Sequence, residues 1–339
     1  PTLAALAALC AGSASAADLV VWHAYRAEER AALEKIVAAY NAKTKGPKVT
    51  TLAVPYDAFA DKISAAVPRG KGPDVFIYAQ DRMGGWIEAG HTVEPIDFYV
   101  DDALKGRFLP ATVEALTYRG SLYGLPLDYK VITLLYNRKL VKTPPATTAE
   151  LVKLGKSLTD KGAGRFGLAW AYNDFYYVAS ILNGFGGAVF GPGTKPTLDA
   201  PANVKGMELL VRWNKEGFMP AEPSVALITA LFNEGKAAMV FTGPWFLGEV
   251  AREIDYGLAP LPAIVEAGGK PMRPWMTVEG VYVAAPSANK DAAFDFVKYV
   301  TDLDAARTLA VEGRQSPANA KAYDDPRVAS DGVLAAFRK

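Results

Sequence analysis

Hydrophobic positions along this chain follow two rhythms. Leu19 to Trp22 and Val75 to Tyr78 are short apolar runs, and Val49 to Val54 is rich in β-branched residues. Runs of this length and composition, bounded by turn residues, predict strands. Between the first two, Leu33, Ile36, Val37 and Tyr40 recur at three- and four-residue steps, which places them on one face of a helix closed by Asn41 to Pro47. Val204 to Trp213, Val225 to Phe232 and Asp291 to Val300 read as further helices, and Ala237 to Phe241 and Tyr282 to Ala285 as further strands. Alternating strand and helix predicts an α/β architecture with covered sheets and ligands at strand ends, where loops converge. Leu122 to Tyr136 is dense in β-branched and aromatic residues but interrupted by Gly124 and Pro126, the mark of an edge or a crossover. Joints rich in Pro and Gly fall at Pro144-Pro145, Gly191 to Pro196 and Pro260 to Pro274. With 339 residues and no internal repeat, about two domains are expected.

The first seventeen residues differ from the rest. An uncharged apolar run, Leu3 to Leu9, leads into small residues with an A-x-A pattern (Ala14, Ser15, Ala16), the tail of a signal peptide cleaved near Ala16/Ala17. The start of such a leader is missing, and the run is too short to span a bilayer, which takes about 20 apolar residues. Cys10 is either a lipidated anchor, for which Leu9 lacks the usual small size, or a passenger in the leader. The chain has no other cysteine, so the exported protein would use neither disulfides nor thiolates. The expected location is the periplasm.

Composition removes several function classes. Lys and Arg total 37 against 36 Asp and Glu, a net charge of +1, which leaves no basic surplus for nucleic acid or an anionic bilayer. His23 and His91 are far apart and not in metal spacing; no zinc-protease, nucleophile-elbow or phosphate-loop motif occurs, and no cofactor is implied. Gly184-Phe185-Gly186-Gly187 looks like a dinucleotide loop but follows a helical stretch, so it reads as a helix end with a glycine at positive φ. Asp81 and Asp174 are the carboxylates on which a carbohydrate-active enzyme would run. The missing signatures argue against an enzyme.

What remains is an aromatic supply at strand ends and turns: Trp22, Tyr78, Trp86, Tyr176, Tyr177, Trp245 and Trp275. For any one of them core packing is the plainer reading. Trp245 is different, because Gly243-Pro244 turns the chain just before it and would set its ring where a strand ends, a place suited to stacking on a sugar. Asp81-Arg82 follows the Val75 to Tyr78 strand and offers charge-assisted bonds to hydroxyls, or is a solvated ion pair. The adjacent phenols Tyr176-Tyr177 leave a rival open: ligation of ferric ion in an iron(III)-binding transporter component.

Three segments carry a resemblance. Gly-Pro-Asp-Val-Phe-Ile-Tyr-Ala-Gln-Asp-Arg-Met-Gly-Gly-Trp (72 to 86), Gly-Leu-Pro-Leu with Leu-Leu-Tyr-Asn-Arg-Lys-Leu (124 to 140) and Phe-Asn-Glu-Gly-Lys-Ala-Ala-Met-Val-Phe-Thr-Gly-Pro-Trp (232 to 245) are similar to the maltose/maltodextrin-binding proteins of ABC importers. The order continues through Asn289-Lys290 to Asp325-Pro326-Arg327. The resemblance implies a periplasmic-binding-protein type II fold: two α/β lobes joined by a hinge, with the ligand in the cleft. Residues 18–128 with 281–322 would form the N-terminal lobe, and 131–277 with 327–339 the C-terminal one. It further implies that Asp81 and Arg82 bind sugar hydroxyls beside Tyr78, that Asp174 accepts from the sugar, and that Tyr176 and Trp245 form an aromatic platform. Trp22 and Lys130 complete the expected ligand-binding set. The implied partners are a neutral sugar, a membrane permease and, as a further option, a chemotaxis receptor, with the protein a monomer. The sequence departs from the family's pattern at Arg26 and Ala27, where an acidic residue and a lysine are expected, and at Lys130, where a glutamate is expected. Those changes alter which hydroxyls can be held and leave the sugar open among maltose, maltodextrin, trehalose and related oligosaccharides. The chain also stops at Lys339, short of a segment that relatives use to supply another aromatic, so a truncated chain is expected.

Overall fold

The computed structural model describes residues 18–192 and 195–338. The expected leader with Cys10 and the expected cleavage site, the middle of the Gly191 to Pro196 joint, and Lys339 lie outside the described residues. The strands are β1 (Leu19–His23), β2 (Val49–Ala53), β3 (Val75–Ala79), β4 (Thr117–Tyr118), β5 (Ser121–Leu122), β6 (Gly124–Lys130), β7 (Thr133–Asn137), β8 (Phe166–Ala169), β9 (Ala237–Thr242), β10 (Tyr256–Ala259), β11 (Ala263–Ile264), β12 (Lys270–Pro271), β13 (Thr277–Val283) and β14 (Ser316–Pro317). The helices are α1 (Ala27–Lys43), α2 (Tyr56–Ala66), α3 (Met83–Ala89), α4 (Asp102–Lys105), α5 (Pro110–Ala115), α6 (Thr148–Leu158), α7 (Phe175–Gly184), α8 (Pro201–Glu216), α9 (Val225–Asn233), α10 (Lys290–Val300), α11 (Leu303–Gly313), α12 (Pro326–Ala329) and α13 (Gly332–Arg338).

Two main sheets divide these elements. The first has the order β14-β6-β13-β3-β1-β2 and the second β10-β7-β9-β8. β1 runs parallel to β2 and β3, while β13 runs antiparallel to β3 and β6. The apolar runs at Leu19 and Val75 form β1 and the fully buried β3, and the Leu33 to Tyr40 stripe is the buried face of α1. Each sheet has its own core. Phe59, Phe76, Tyr282, Phe294 and Phe296 fill the first, and Trp170, Trp213, Phe218, Phe232 and Phe241 fill the second. The result is two α/β lobes, each built on its own sheet.

The chain passes between lobes where β6 runs into β7 at residues 131–132, and returns between β10 and β13. Pro126 sits within β6 opposite Gly280, next to a register shift between Glu279 and Gly280. On the other side of β6, β14 pairs only with Tyr129 and Asp128, so at Pro126 the strand behaves as an edge and no ladder bond is lost. Near the chain's end, Val328 and Leu334 pack into the first core while Val333 packs against the second, so α13 lies at the join. The glycine run at 184–187 ends α7 with Gly186 at φ 85°, as its position after a helix predicts. Among the described residues no helix is long and apolar enough to cross a membrane.

In the second lobe α6 lies directly on β8 because both contribute a glycine at the contact. A Cβ added to Gly167 would fall 2.1 Å from the Gly155 carbonyl oxygen. Gly167→Ala therefore forces helix and strand apart and is expected to cost about 3 kcal/mol of stability. Chemical denaturation checks it; an unchanged midpoint would show that α6 can retreat freely.

Candidate functional site

In the second lobe the loop after β8 delivers Asp174 to the start of α7, where its Oδ1 accepts from the Tyr176 backbone N–H at 2.9 Å. An aspartate at this position satisfies an otherwise unpaired helix donor and sits favourably against the helix dipole. That cap fixes the first turn of α7 and so the Tyr176 ring. Trp245 lies in the 3₁₀ turn Pro244–Glu249 that follows β9. Its ring folds back over Gly243, where a Cβ would lie 2.1 Å from the indole, so the turn needs glycine for close approach rather than for its dihedrals. The ring centroid is 6.1 Å from that of Tyr176 and 6.4 Å from that of Tyr177. Asp174, Tyr176 and Trp245 are thus brought together, half-exposed, on one lobe.

The first lobe presents Asp81 and Arg82 in the 3₁₀ turn Gln80–Arg82 at the end of β3. Both are exposed, with Arg82 Nε 3.5 Å from Asp81 Oδ2. The Gln80 side chain accepts from Val278 N at 2.7 Å and ties the turn to β13. Partial burial raises the Asp81 carboxyl above its usual range, and the Arg82 charge pulls against that shift.

Three of the expected ligand residues have other primary engagements. Tyr78 is buried, with its ring stacked on Phe59 at 4.6 Å and 2° and its hydroxyl donated to the Tyr56 carbonyl at 3.2 Å. Trp22 is buried in the first core, with Lys62 Nζ 4.6 Å from its ring centroid. Lys130 is buried where β6 leaves the first sheet, with Nζ 3.0 Å from Glu29 and 3.1 Å from Glu279. Its backbone carbonyl accepts from Tyr176 Oη at 3.2 Å, the hydrogen bond that seats the second lobe's platform on the crossing strand. Glu279 in turn lies opposite Ala79, two residues before Asp81. The two groups of site residues are on different lobes, with this junction between them.

The lobes also meet at a seam that the sequence did not announce. Arg26 reaches across to Glu249 at 3.2 Å, and Arg314 donates to Tyr256 Oη at 3.2 Å. Ala27, at the first turn of α1, has φ 43°, a left-handed conformation costly for alanine. Between these contacts lies a cavity of about 30 Å³, room for a single water, bordered by Arg26, Ala27, Glu29, Trp245, Glu249 and Arg314. Glu249 and Arg314 are far along the chain from Arg26, so no local pattern singled the pairing out. Arg26 was marked only as a departure.

Exposed aromatic faces beside charged donors and acceptors, spread over two lobes, suit a neutral polyhydroxylated ligand better than an ion. Burial pushes the Tyr177 hydroxyl up to about 12 and Tyr176 higher still, which does not favour the phenolates of the ferric alternative. The relatives do not support it either. Residues 23–307 match the bacterial extracellular solute-binding protein family. The maltotriose-binding protein of Pyrococcus abyssi is 33% identical over 323 residues, covering 94% of this chain and 70% of the relative. The galactooligosaccharide-binding protein of Bacillus subtilis is 28% identical, covering 93% and 76%. Among solved structures, the Thermus thermophilus maltotriose binding protein bound with maltotriose superposes with a TM-score of 0.84 at 28% identity, covering 95% of this chain and 86% of that one. Two lobes, a shared order of elements and a match over most of the length lead to one conclusion: the chain belongs to the bacterial extracellular solute-binding proteins.

Proposed function

We propose that this protein is the carbohydrate-binding component of an ABC sugar importer, exported to the periplasm and specific for a short maltodextrin-type oligosaccharide. The observation that carries the reading is the Tyr176–Trp245 ring pair beside Asp174 on the second lobe, in a chain whose first lobe bears the exposed Asp81-Arg82 pair and whose relatives include a maltotriose-binding protein. Sugar rings have an apolar face for the aromatics and equatorial hydroxyls for the charged groups, which bond them more strongly than neutral partners do. The ligand-binding set comprises Asp81, Arg82, Asp174, Tyr176 and Trp245 in direct contact, with Tyr78, Trp22 and Lys130 at its border. The lobes are residues 18–128 with 281–322 and residues 131–277; the segment 327–339, expected with the second lobe, lies at the join, with Val328 and Leu334 in the first core and Val333 against the second.

Hinge closure is an established behaviour of periplasmic binding proteins. Sugar contacts from the second lobe that exist only in the closed form would shift the population towards it, and the closed shape would be read by the membrane permease. The protein acts as a monomer without catalytic turnover; a chemotaxis receptor is a further candidate reader of the closed form. Trp245 makes the reading testable. Adding maltose, maltotriose, longer maltodextrins, trehalose or a galactooligosaccharide should change intrinsic fluorescence, and calorimetry should give saturable binding to at least one of them. Folded protein that binds none of this panel would overturn the proposal. Hydrolysis of a bound glycoside, abolished by Asp174→Asn, would favour the enzyme reading instead.

A further inference from the structure

At the junction of the lobes the structure gathers more negative charge than it compensates. Asp128 (0% exposed) and Lys130 (8%) come from β6, Glu279 (5%) from β13 and Glu29 (9%) from α1. Three carboxylates thus surround one ammonium. Lys130 bonds Glu29 and one oxygen of Glu279, and Tyr25 Oη donates to Asp128 Oδ2 at 2.6 Å. Two buried oxygens remain without a partner, Asp128 Oδ1 and Glu279 Oε2. They belong to residues directly opposite each other on adjacent antiparallel strands. Side chains so paired lie about 4.5–5.5 Å apart at Cβ, within carboxyl-to-carboxyl hydrogen-bonding range. Two ionised carboxylates facing each other in a dry site repel and leave both oxygens unsatisfied, whereas one added proton answers both problems.

We propose that Asp128 and Glu279 hold a single proton between them, and that this proton pins the crossing strands on which Tyr176 is seated. The inference does not depend on which ligand the cleft takes. The other facing groups agree with it. Burial, and next to it the charge of Glu279, drive the Asp128 carboxyl well above the usual carboxylate range, against Lys130 and the Tyr25 bond. Burial works against the Lys130 ammonium, yet Glu279, Glu29 and Asp128 together hold it charged. From β1, His23 contributes no positive charge at neutral pH, since burial lowers it to about 4 with Arg30 adding to the effect. Around β3, Asp81, Tyr78, Tyr56 from α2 and Tyr282 from β13 supply no cation, and the Arg82 guanidinium there is exposed and paired with Asp81. β14 brings only the uncharged Ser316 and Pro317.

The sign follows from linkage. A carboxyl whose folded pKa lies above its unfolded value binds its proton in the folded state, so its contribution is full below about pH 4 and is lost as pH rises towards the folded pKa. The unfolding constant of the wild type should therefore climb with pH above that point, by up to about tenfold per unit for one proton. Asp128→Asn mimics the protonated form. Its unfolding constant should be flatter with pH than the wild type's, with stability at pH 7 no lower than wild type. Glu279→Gln offers an amide donor to Asp128 and should flatten the profile as well, so it serves if Asp128→Asn does not fold. Infrared spectra of the full chain at pH 7 should show a protonated carboxyl band in the wild type that both variants lack. A wild type without that band, or variants with the wild-type slope, would overturn the shared proton.

Discussion

Trp245→Ala is expected to weaken oligosaccharide binding by about 2 kcal/mol, roughly thirtyfold in Kd, with the fold intact. The indole is held rather than tethered: its ring lies back over Gly243 and is flanked by Tyr176 and Tyr177 at 6.1 and 6.4 Å. A ring positioned before the ligand arrives loses little freedom on binding, so its contact area appears in the affinity almost undiminished. Trp245 is only half-buried, and removing it should scarcely disturb the second core, whose bulk comes from Trp170, Trp213 and the phenylalanines. Trp245→Phe should recover part of the loss, because a smaller flat face remains. Calorimetric titration with the best sugar of the panel decides; an alanine variant with wild-type Kd would place the sugar elsewhere.

Lys130→Met should damage stability more than affinity. The lysine holds Glu29 at 3.0 Å and Glu279 at 3.1 Å in a site that excludes water. Removing one partner of a buried ionic cluster strands the others, at a cost of about 3–5 kcal/mol. The stranded carboxylates escape by taking up protons, so the deficit should be smaller at pH 5 than at pH 8. Denaturation at the two pH values reads this directly. Were Lys130 chiefly a sugar contact, the variant would instead keep its stability and lose its ligand.

The same lysine shows where sequence reasoning stops. The strands and helices were legible because their signal is local: four apolar residues in a row at Val75, or a three-four rhythm from Leu33 to Tyr40. Asp174 stood out in the sequence only as a candidate carboxylate and through the resemblance; its role as the cap of α7 emerges with the fold. Side-chain direction was not legible. β3 is buried throughout and β1 at all but Val20, so alternation cannot tell a residue that points to the cleft from one that points to the core, and the fold buries both Trp22 and Tyr78. Lys130 reverses the charge of the glutamate expected there, but only the folded chain reveals that Glu29 and Glu279 were waiting for it. The pairing of Arg26 with Glu249 is of the same kind, a contact made by tertiary structure between loops that share no pattern.

The position of β13 in the first sheet has one more consequence. It lies between β6 and β3, near the centre, yet it is the last long strand to leave the ribosome, after every strand of the second main sheet. Until residue 283 has been made, β3 and β6 have no neighbour to join them, and the early half of the chain cannot complete its core. The strands from Thr133 to Ala259 contain everything their own sheet needs and can settle first. Such long-range pairing makes folding slow.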